Sequence, residues 1–416
     1  MFWVSRSPTE EVRAVKYAGD GALAGVKVLD LSRILAGPYC TQMLADHGAE
    51  VIKVEPPAGD DTRTWGPPFV AQDSSAYFVG LNRNKKNICL DLRSRPGQEV
   101  LGLLLSEADV LVENFKPGTL AKWGFSDEHL AARHPSLIHC RITGFGVDGP
   151  LGNLPGYDAI LQAHSGLMSI NGEADRAPLR VGVPIVDLTT GIYAFSGILL
   201  ALRARADSGR GQLVDCTLHD TALSLLHPHS ATWLASGANP ARTGSAHPTI
   251  APYDSFATST GPLFIAVGND GQFESLCEVL GSPEMARDAR FRSNSDRVEH
   301  RPALSSMLDS LTLAWERDGL CEALLEAGVP SGPVHSVGEA MTSAHAHHRQ
   351  MIVETDSYRG VGIPIKLSRT PGAVRHGPRE RGQDIRAVAR DLGLSPGLAQ
   401  YLQEVASADV TRHREI

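Results

Sequence analysis

Short apolar runs and longer amphipathic stretches take turns along the first part of the chain. VKVLDL, residues 26–31, has the character of a buried strand, and Gly37-Pro38 then opens a helical pattern that Gly48 closes. VIKVE at 51–55 reads as a second strand, so the three together form a βαβ unit. The order continues through NICLDL at 87–92, a helix covering Val100 to Leu105, VLVEN at 110–114, a helix capped by Ser126, and LIHCRIT at 137–143. Strand alternating with helix predicts an α/β, Rossmann-like large domain: a parallel sheet wrapped by helices through right-handed crossovers.

After Asp187 comes LTTGIYAFSGILLALRAR, which reads as a buried helix ending before Ser208-Gly209. Beyond Arg242 the pattern changes. HPTIAPYDSFATSTGPLFIAVGND predicts two strands joined by a turn at 260–262, and helical patterns rich in Glu and Leu follow as far as Ala327. The expected layout is an extension at 1–24, the N-terminal part of the large domain at 25–225, a smaller α+β domain at 246–333, and a C-terminal part at 350–416 that returns to the large domain.

Composition narrows the partners. Lys plus Arg at 39 against Asp plus Glu at 47 leaves a net charge of -8, which speaks against nucleic acid. The six cysteines lie far apart with no C-x-x-C pair, so neither a metal site nor a disulfide framework is expected, and a reducing cytoplasm fits best. The first residues carry charge where a signal peptide needs an apolar stretch, and no run is expected to span a bilayer.

Two segments invite chemistry. Gly144 to Gly149 matches G-x-G-x-x-G after a strand, but Pro150 and Pro155 argue against the helix that a dinucleotide fingerprint must open, so a turn is expected. Asp187, between an apolar run and the long helix, is an N-cap candidate; the same position at a helix N-terminus favours an ionised carboxylate and suits a nucleophile. Residue types alone leave both roles open. Arg33, Arg83, Lys85, Lys86, Arg93, Lys116 and Lys122 fall in or beside loops at the strand ends, where they can meet phosphates or simply be solvated.

Six blocks stand in register with one family: VLDLSRILAGPYCTQMLADHGAEVIKVEPP, NRNKKNICLDL, VLVENFKPG, ITGFG, GVPIVDLTTG and SGRGQLVDCTLHDTAL. The chain resembles the class III CoA transferases, the CaiB/BaiF type that includes formyl-CoA transferase. That resemblance implies an interlocked homodimer and an aspartate nucleophile at Asp187. It implies CoA contacts at Leu35 and Ala36, at Leu90, Asp91, Leu92 and Arg93, at Asn114, Phe115 and Lys116, at Lys122, and at Thr143, Gly144, Phe145 and Gly146. Lys122 and Thr143 depart from the family in residue type. The implied substrates are an acyl-CoA, with succinyl-CoA as the expected donor, and small carboxylic acids. CoA enters as a thioester substrate, and no permanently bound cofactor or metal is required.

The segment 243–248 resembles members that act on dicarboxylates, and Arg180, His229, Arg242 or His247 can supply a partner for the second carboxylate. 2-Methylacyl-CoA racemases share the fold, but where they use a His-Asp pair this chain has Tyr157-Asp158, and a tyrosine is a poor proton carrier near neutral pH. A non-catalytic acyl-CoA binder is the third reading.

Overall fold

The computed structural model describes residues 21–71, 73–355 and 358–407. Most of the proposed 1–24 extension therefore lies outside the described residues. In chain order the elements needed below are β1 (Lys27–Asp30), α1 (Ala36–Asp46), β2 (Glu50–Glu55), β3 (Lys85–Cys89), α2 (Arg95–Glu107), β4 (Val110–Glu113), α3 (Asp127–Arg133), β5 (Ile138–Thr143), α4 (Asp158–His164), α5 (Ile185–Ser208) and β6 (Leu213–Thr217). Chain contacts divide these and the rest into two compact units. The first takes residues 1–142, 191–215 and 350–416, and the second 143–190 and 216–349.

In the first unit six strands form one sheet in the order β3-β2-β1-β4-β5-β6. Pairs β1–β2, β1–β4, β2–β3 and β4–β5 are parallel, as the alternating pattern requires. The chain adds strands to one side of β1 and then, from β4 onward, to the other. In open α/β sheets such a reversal marks the crevice that receives ligands, here expected outside the carboxyl ends of β1 and β4. The core under it is aliphatic: Leu29, Ile88 and Leu111 from strands pack with Val100, Leu101 and Leu104 of α2. Ser94 caps α2 through the Gly97 N–H, and Ser126 caps α3 through the His129 N–H, the latter as expected.

Charges are buried beneath the same crevice. Lys53 pairs with Asp60 at 2.8 Å, Arg63 with Glu55 at 2.7 Å and Lys85 with Asp30 at 3.1 Å, all nearly inaccessible to solvent. Burial pushes the Lys85 ammonium down to about 8 against the pull of Asp30. Ion pairs this dry hold only when every donor is used, and Lys85 also donates to the Pro38 carbonyl and to Asn82.

The second unit contains an antiparallel sheet in the order β9 (Ser331–Pro333), β8 (Gly261–Ala266), β7 (Tyr253–Thr258). β7 and β8 are the two strands read from the sequence. Phe256, Leu263, Ile265, Phe273 and Leu324 close a separate core around them. Arg297 is wholly buried there, donating to the carbonyls of Ala251 and Phe291 and to Asp270.

One expectation is corrected. By length and hydropathy α5 meets the requirement for crossing a bilayer, with 24 residues and a mean hydropathy of 1.8 over its most apolar window. The sequence reading took the segment after Asp187 as a buried helix and expected no run of spanning length, yet the apolar stretch continues through Asp187 to the start of α5 at Ile185. No disulfide links the six cysteines.

Candidate active site

Asp187 lies in the first turn of α5 and is half-buried. It is not the N-cap. The Pro184 carbonyl already accepts the first helical hydrogen bond, from the Leu188 N–H at 3.0 Å, so Asp187 is the third residue inside the helix. Capping falls to Asp158, the first residue of α4. Its Oδ2 accepts the N–H groups of Val186 at 2.8 Å and Asp187 at 3.2 Å, so two of the helix's orphan donors are satisfied from another segment. Its Oδ1 accepts from Gln162 Nε2 at 2.6 Å, and Gln162 Oε1 in turn accepts the Val181 N–H at 2.8 Å.

This relay has a direction. Donors meet Asp158 on both oxygens, so only a carboxylate satisfies the position without turning a donor against a donor. Its consequence for Asp187 is electrostatic. Burial first, and then the Asp158 charge, push the Asp187 carboxyl up to about 7 from its ordinary 3.8. A carboxyl group raised toward neutrality in the first turn of a helix gives, once ionised, a weakly solvated and therefore reactive anion.

Preceding it in the chain, Thr143 ends β5 and its Oγ1 accepts the Gly146 N–H at 3.0 Å. Gly146 is in the left-handed region at φ 93, and a side chain on Gly144 would come within 2.8 Å of the Gly156 backbone. Residues 144–157 thus form a closed irregular turn with no helix until Asp158, in agreement with the sequence reading. The Phe145 ring meets His164 edge-on at 5.2 Å and His219 at 5.8 Å.

At the crevice of the first unit, Leu35 and Ala36 are buried at the start of α1. Leu90 and Leu92 are buried after β3, and Arg93 turns back on Asp91, its Nε 3.0 Å from Oδ1. Asn114 leaves β4 with its carboxamide on the Arg33 backbone, while Phe115 packs edge-on against Trp123 at 5.2 Å.

Comparison with known proteins agrees. The sequence matches CoA-transferase family III over residues 23–385. The chain belongs to CoA-transferase family III. It is 43% identical over 360 residues to a succinate-glutarate CoA-transferase of Agrobacterium fabrum, covering 84% of this chain and 90% of the relative. It is 41% identical over 382 residues to a succinyl-CoA:glutarate CoA-transferase of Mus musculus, covering 89% and 86%. A crystal structure of a CAIB/BAIF family protein from Brucella suis superposes with a TM-score of 0.84 at 43% identity, covering 90% of this chain and all of that one.

For a family III transferase the cations matter, since CoA carries phosphates, and several expected partners are already engaged. Arg83 is buried against Asp46 at 2.7 Å and Lys85 against Asp30, so neither reaches a ligand from solvent. Lys86 pairs with Glu50, and Arg33 with Asp61 at 3.5 Å. Lys116 and Lys122 are exposed and pair with no carboxylate among the described residues.

Of the residues expected to meet the acid, Tyr157 is 60% exposed and Arg180 is exposed with its guanidinium on the carbonyls of Val181 and Gly182. Arg242 holds the carbonyls of Glu173, Ala174 and Arg176 instead of standing open. His247 is half-buried, its Nδ1 accepting the Thr249 N–H at 3.2 Å, which leaves the proton of the neutral ring on Nε2. The sequence reading weighed Asp158 only beside Tyr157, at the place of the racemase pair, and missed its contact with the Asp187 backbone and the part of Gln162. Their spacing of four on one helix was the available signal.

Proposed function

We propose that the protein moves CoA from succinyl-CoA to a second dicarboxylic acid, with Asp187 as the covalent carrier. The observation that carries this reading is the Asp187 carboxyl in the first turn of α5, raised by burial and then by the charge of Asp158, which also holds the Val186 and Asp187 N–H groups. A carboxylate oxygen of Asp187 attacks the thioester carbonyl, the C–S bond breaks, and CoA leaves as thiolate, giving a mixed anhydride. The thiolate attacks the Asp187 carbonyl carbon, the succinate carboxylate departs, and an aspartyl-CoA thioester remains. The acceptor carboxylate then attacks that thioester, and the displaced thiolate attacks the acceptor's acyl carbon, which restores Asp187. Net charge and atoms balance at each step, and one acid leaves as the other is activated.

Dicarboxylates as substrates are supported by the named activities of the two relatives and by His247, whose Nε2–H is a donor for a distal carboxylate. An interlocked homodimer is the assembly we infer. What supports it is α5, apolar on all sides yet with only 39% of its most apolar window buried, and exposed Ile192, Leu200, Trp233 and Leu234, which a second copy of the chain would cover.

Succinyl-CoA offered with a panel of C2 to C6 mono- and dicarboxylic acids in deuterated water tests the whole reading. We expect new acyl-CoA with the C4 to C6 dicarboxylates, at least about tenfold faster than with monocarboxylates of equal length, as the desolvation of an unpaired second carboxylate demands. A 2-methylacyl-CoA incubated with the protein in the same deuterated medium, without acceptor acid, should take up no α-deuterium. Deuterium uptake without any acceptor acid would favour the racemase reading instead, and equal rates on both acid classes would remove the dicarboxylate assignment.

A further inference from the structure

The turn between β1 and α1 holds a strained residue. Ile34 sits at φ 71, in the left-handed region that a β-branched side chain rarely enters. Such a conformation persists only where its surroundings over-determine it, and here they do. Asn114 Oδ1 accepts the Arg33 N–H at 2.9 Å, and Asn114 Nδ2 donates to the Arg33 carbonyl at 2.8 Å. Asp60 Oδ1 accepts the Ile34 N–H at 3.4 Å. Lys53 Nζ donates to the Ser32 carbonyl at 2.9 Å and to Asp60 Oδ2 at 2.8 Å, which locks the second arm to the first.

The two arms come from opposite sides. Asn114 follows β4 and Asp60 follows β2, so the turn is held across the reversal of strand order where the crevice opens. Immediately after the strained residue, Leu35 precedes α1 and brings no capping side chain, so the first N–H groups of that helix are left to an outside acceptor. A turn that relaxed at Ile34 would swing this helix start away from the crevice.

We propose that Asn114 is a positioning residue: it acts on CoA through the Arg33 backbone, by holding Ile34 in its left-handed conformation, and its own carboxamide is spent on that clasp. The proposal rests on the reading that the turn at 32–36 receives CoA. It differs from a direct contact of the Asn114 side chain with the ligand. In a direct contact the loss on truncation cannot be repaired elsewhere, whereas a clasp can be replaced by removing the strain it opposes.

Glycine supplies that repair, because it takes a positive φ without penalty. The measurement is the Kd for CoA and the KM for succinyl-CoA, with kcat at saturation, in Asn114→Ala, Asn114→Asp, Ile34→Gly and the double variant Asn114→Ala/Ile34→Gly. Asn114→Ala is expected to raise Kd and KM about tenfold, with kcat within about twofold. Asn114→Asp keeps the acceptor for Arg33 N–H and loses the donor, so it falls between. The double variant should bind CoA several-fold tighter than Asn114→Ala alone.

A double variant no better than Asn114→Ala, or a fall in kcat with KM unmoved, overturns the clasp. If Asn114→Ala does not fold, Asn114→Asp with and without Ile34→Gly makes the same comparison. Hydrogen exchange of the wild type separates the two layers. CoA that fails to protect residues 32–37 defeats the reading of the turn itself, while protection together with an unrepaired double variant defeats only the role of Asn114.

Discussion

Asp187→Asn is expected to lose CoA transfer by at least about 10,000-fold, because the amide cannot form the anhydride and nothing else replaces a removed nucleophile. The same change should leave the protein folded and, above neutral pH, more stable. Between pH of about 4 and about 7 the native Asp187 holds a proton that the unfolded chain has lost, since its carboxyl is raised from 3.8 to about 7. Wild-type stability therefore declines as pH rises through that window. Asparagine carries no such proton, so urea melts of the variant should lack this decline and should exceed the wild type at pH 8. A variant that is both inactive and less stable at pH 8 would make the loss a folding defect.

The second large effect belongs to Asp158. In the wild type kcat/KM should rise with pH around about 7, since the ionised Asp187 is the attacking form and kcat/KM reports the free enzyme. Asp158→Asn takes away the like charge, so the rising limb should move to lower pH. The amide also turns an NH2 toward a donor, either Gln162 or the N–H pair of Val186 and Asp187, which should cost about 1–3 kcal/mol of stability. With the helix start shifted, transfer at the pH optimum should fall about 10- to 100-fold. A full pH-rate profile checks the assignment: an unmoved rising limb would mean that Asp158 only caps the helix.

The architecture was largely legible because it is written in local periodicity. β1, α1, β2 and β4 fall within a few residues of where the apolar runs put them, and Ser126 caps the helix it was expected to cap. β6 was not read, since LVDCT lies at the sheet edge and is only partly buried, which leaves no apolar run to find. What periodicity cannot carry is pairing at a distance. Arg83 and Lys85 look like loop cations in sequence, yet they find Asp46 and Asp30, 37 and 55 residues earlier, and are buried with them. Asp158 reaches α5 from 28 residues before Val186, and Asn114 reaches Arg33 across 81. The family resemblance implies roles for Asp187 and the loops after β1, β3 and β4, but the groups packed around them, Asp158 at Asp187 and Asn114 at Arg33, become visible only when the chain is folded.

Covalent trapping on Asp187 tests the central claim most directly. The enzyme is turned over with succinyl-CoA and a dicarboxylate acceptor, quenched with hydroxylamine, digested, and its peptides are read by mass spectrometry. An anhydride or aspartyl-CoA thioester on Asp187 is an activated acyl group, so the account predicts a hydroxamate at that residue, formed only when succinyl-CoA is present and absent from Asp187→Asn. Continued turnover with an unmodified Asp187 peptide, or with the hydroxamate on another carboxylate, would contradict it.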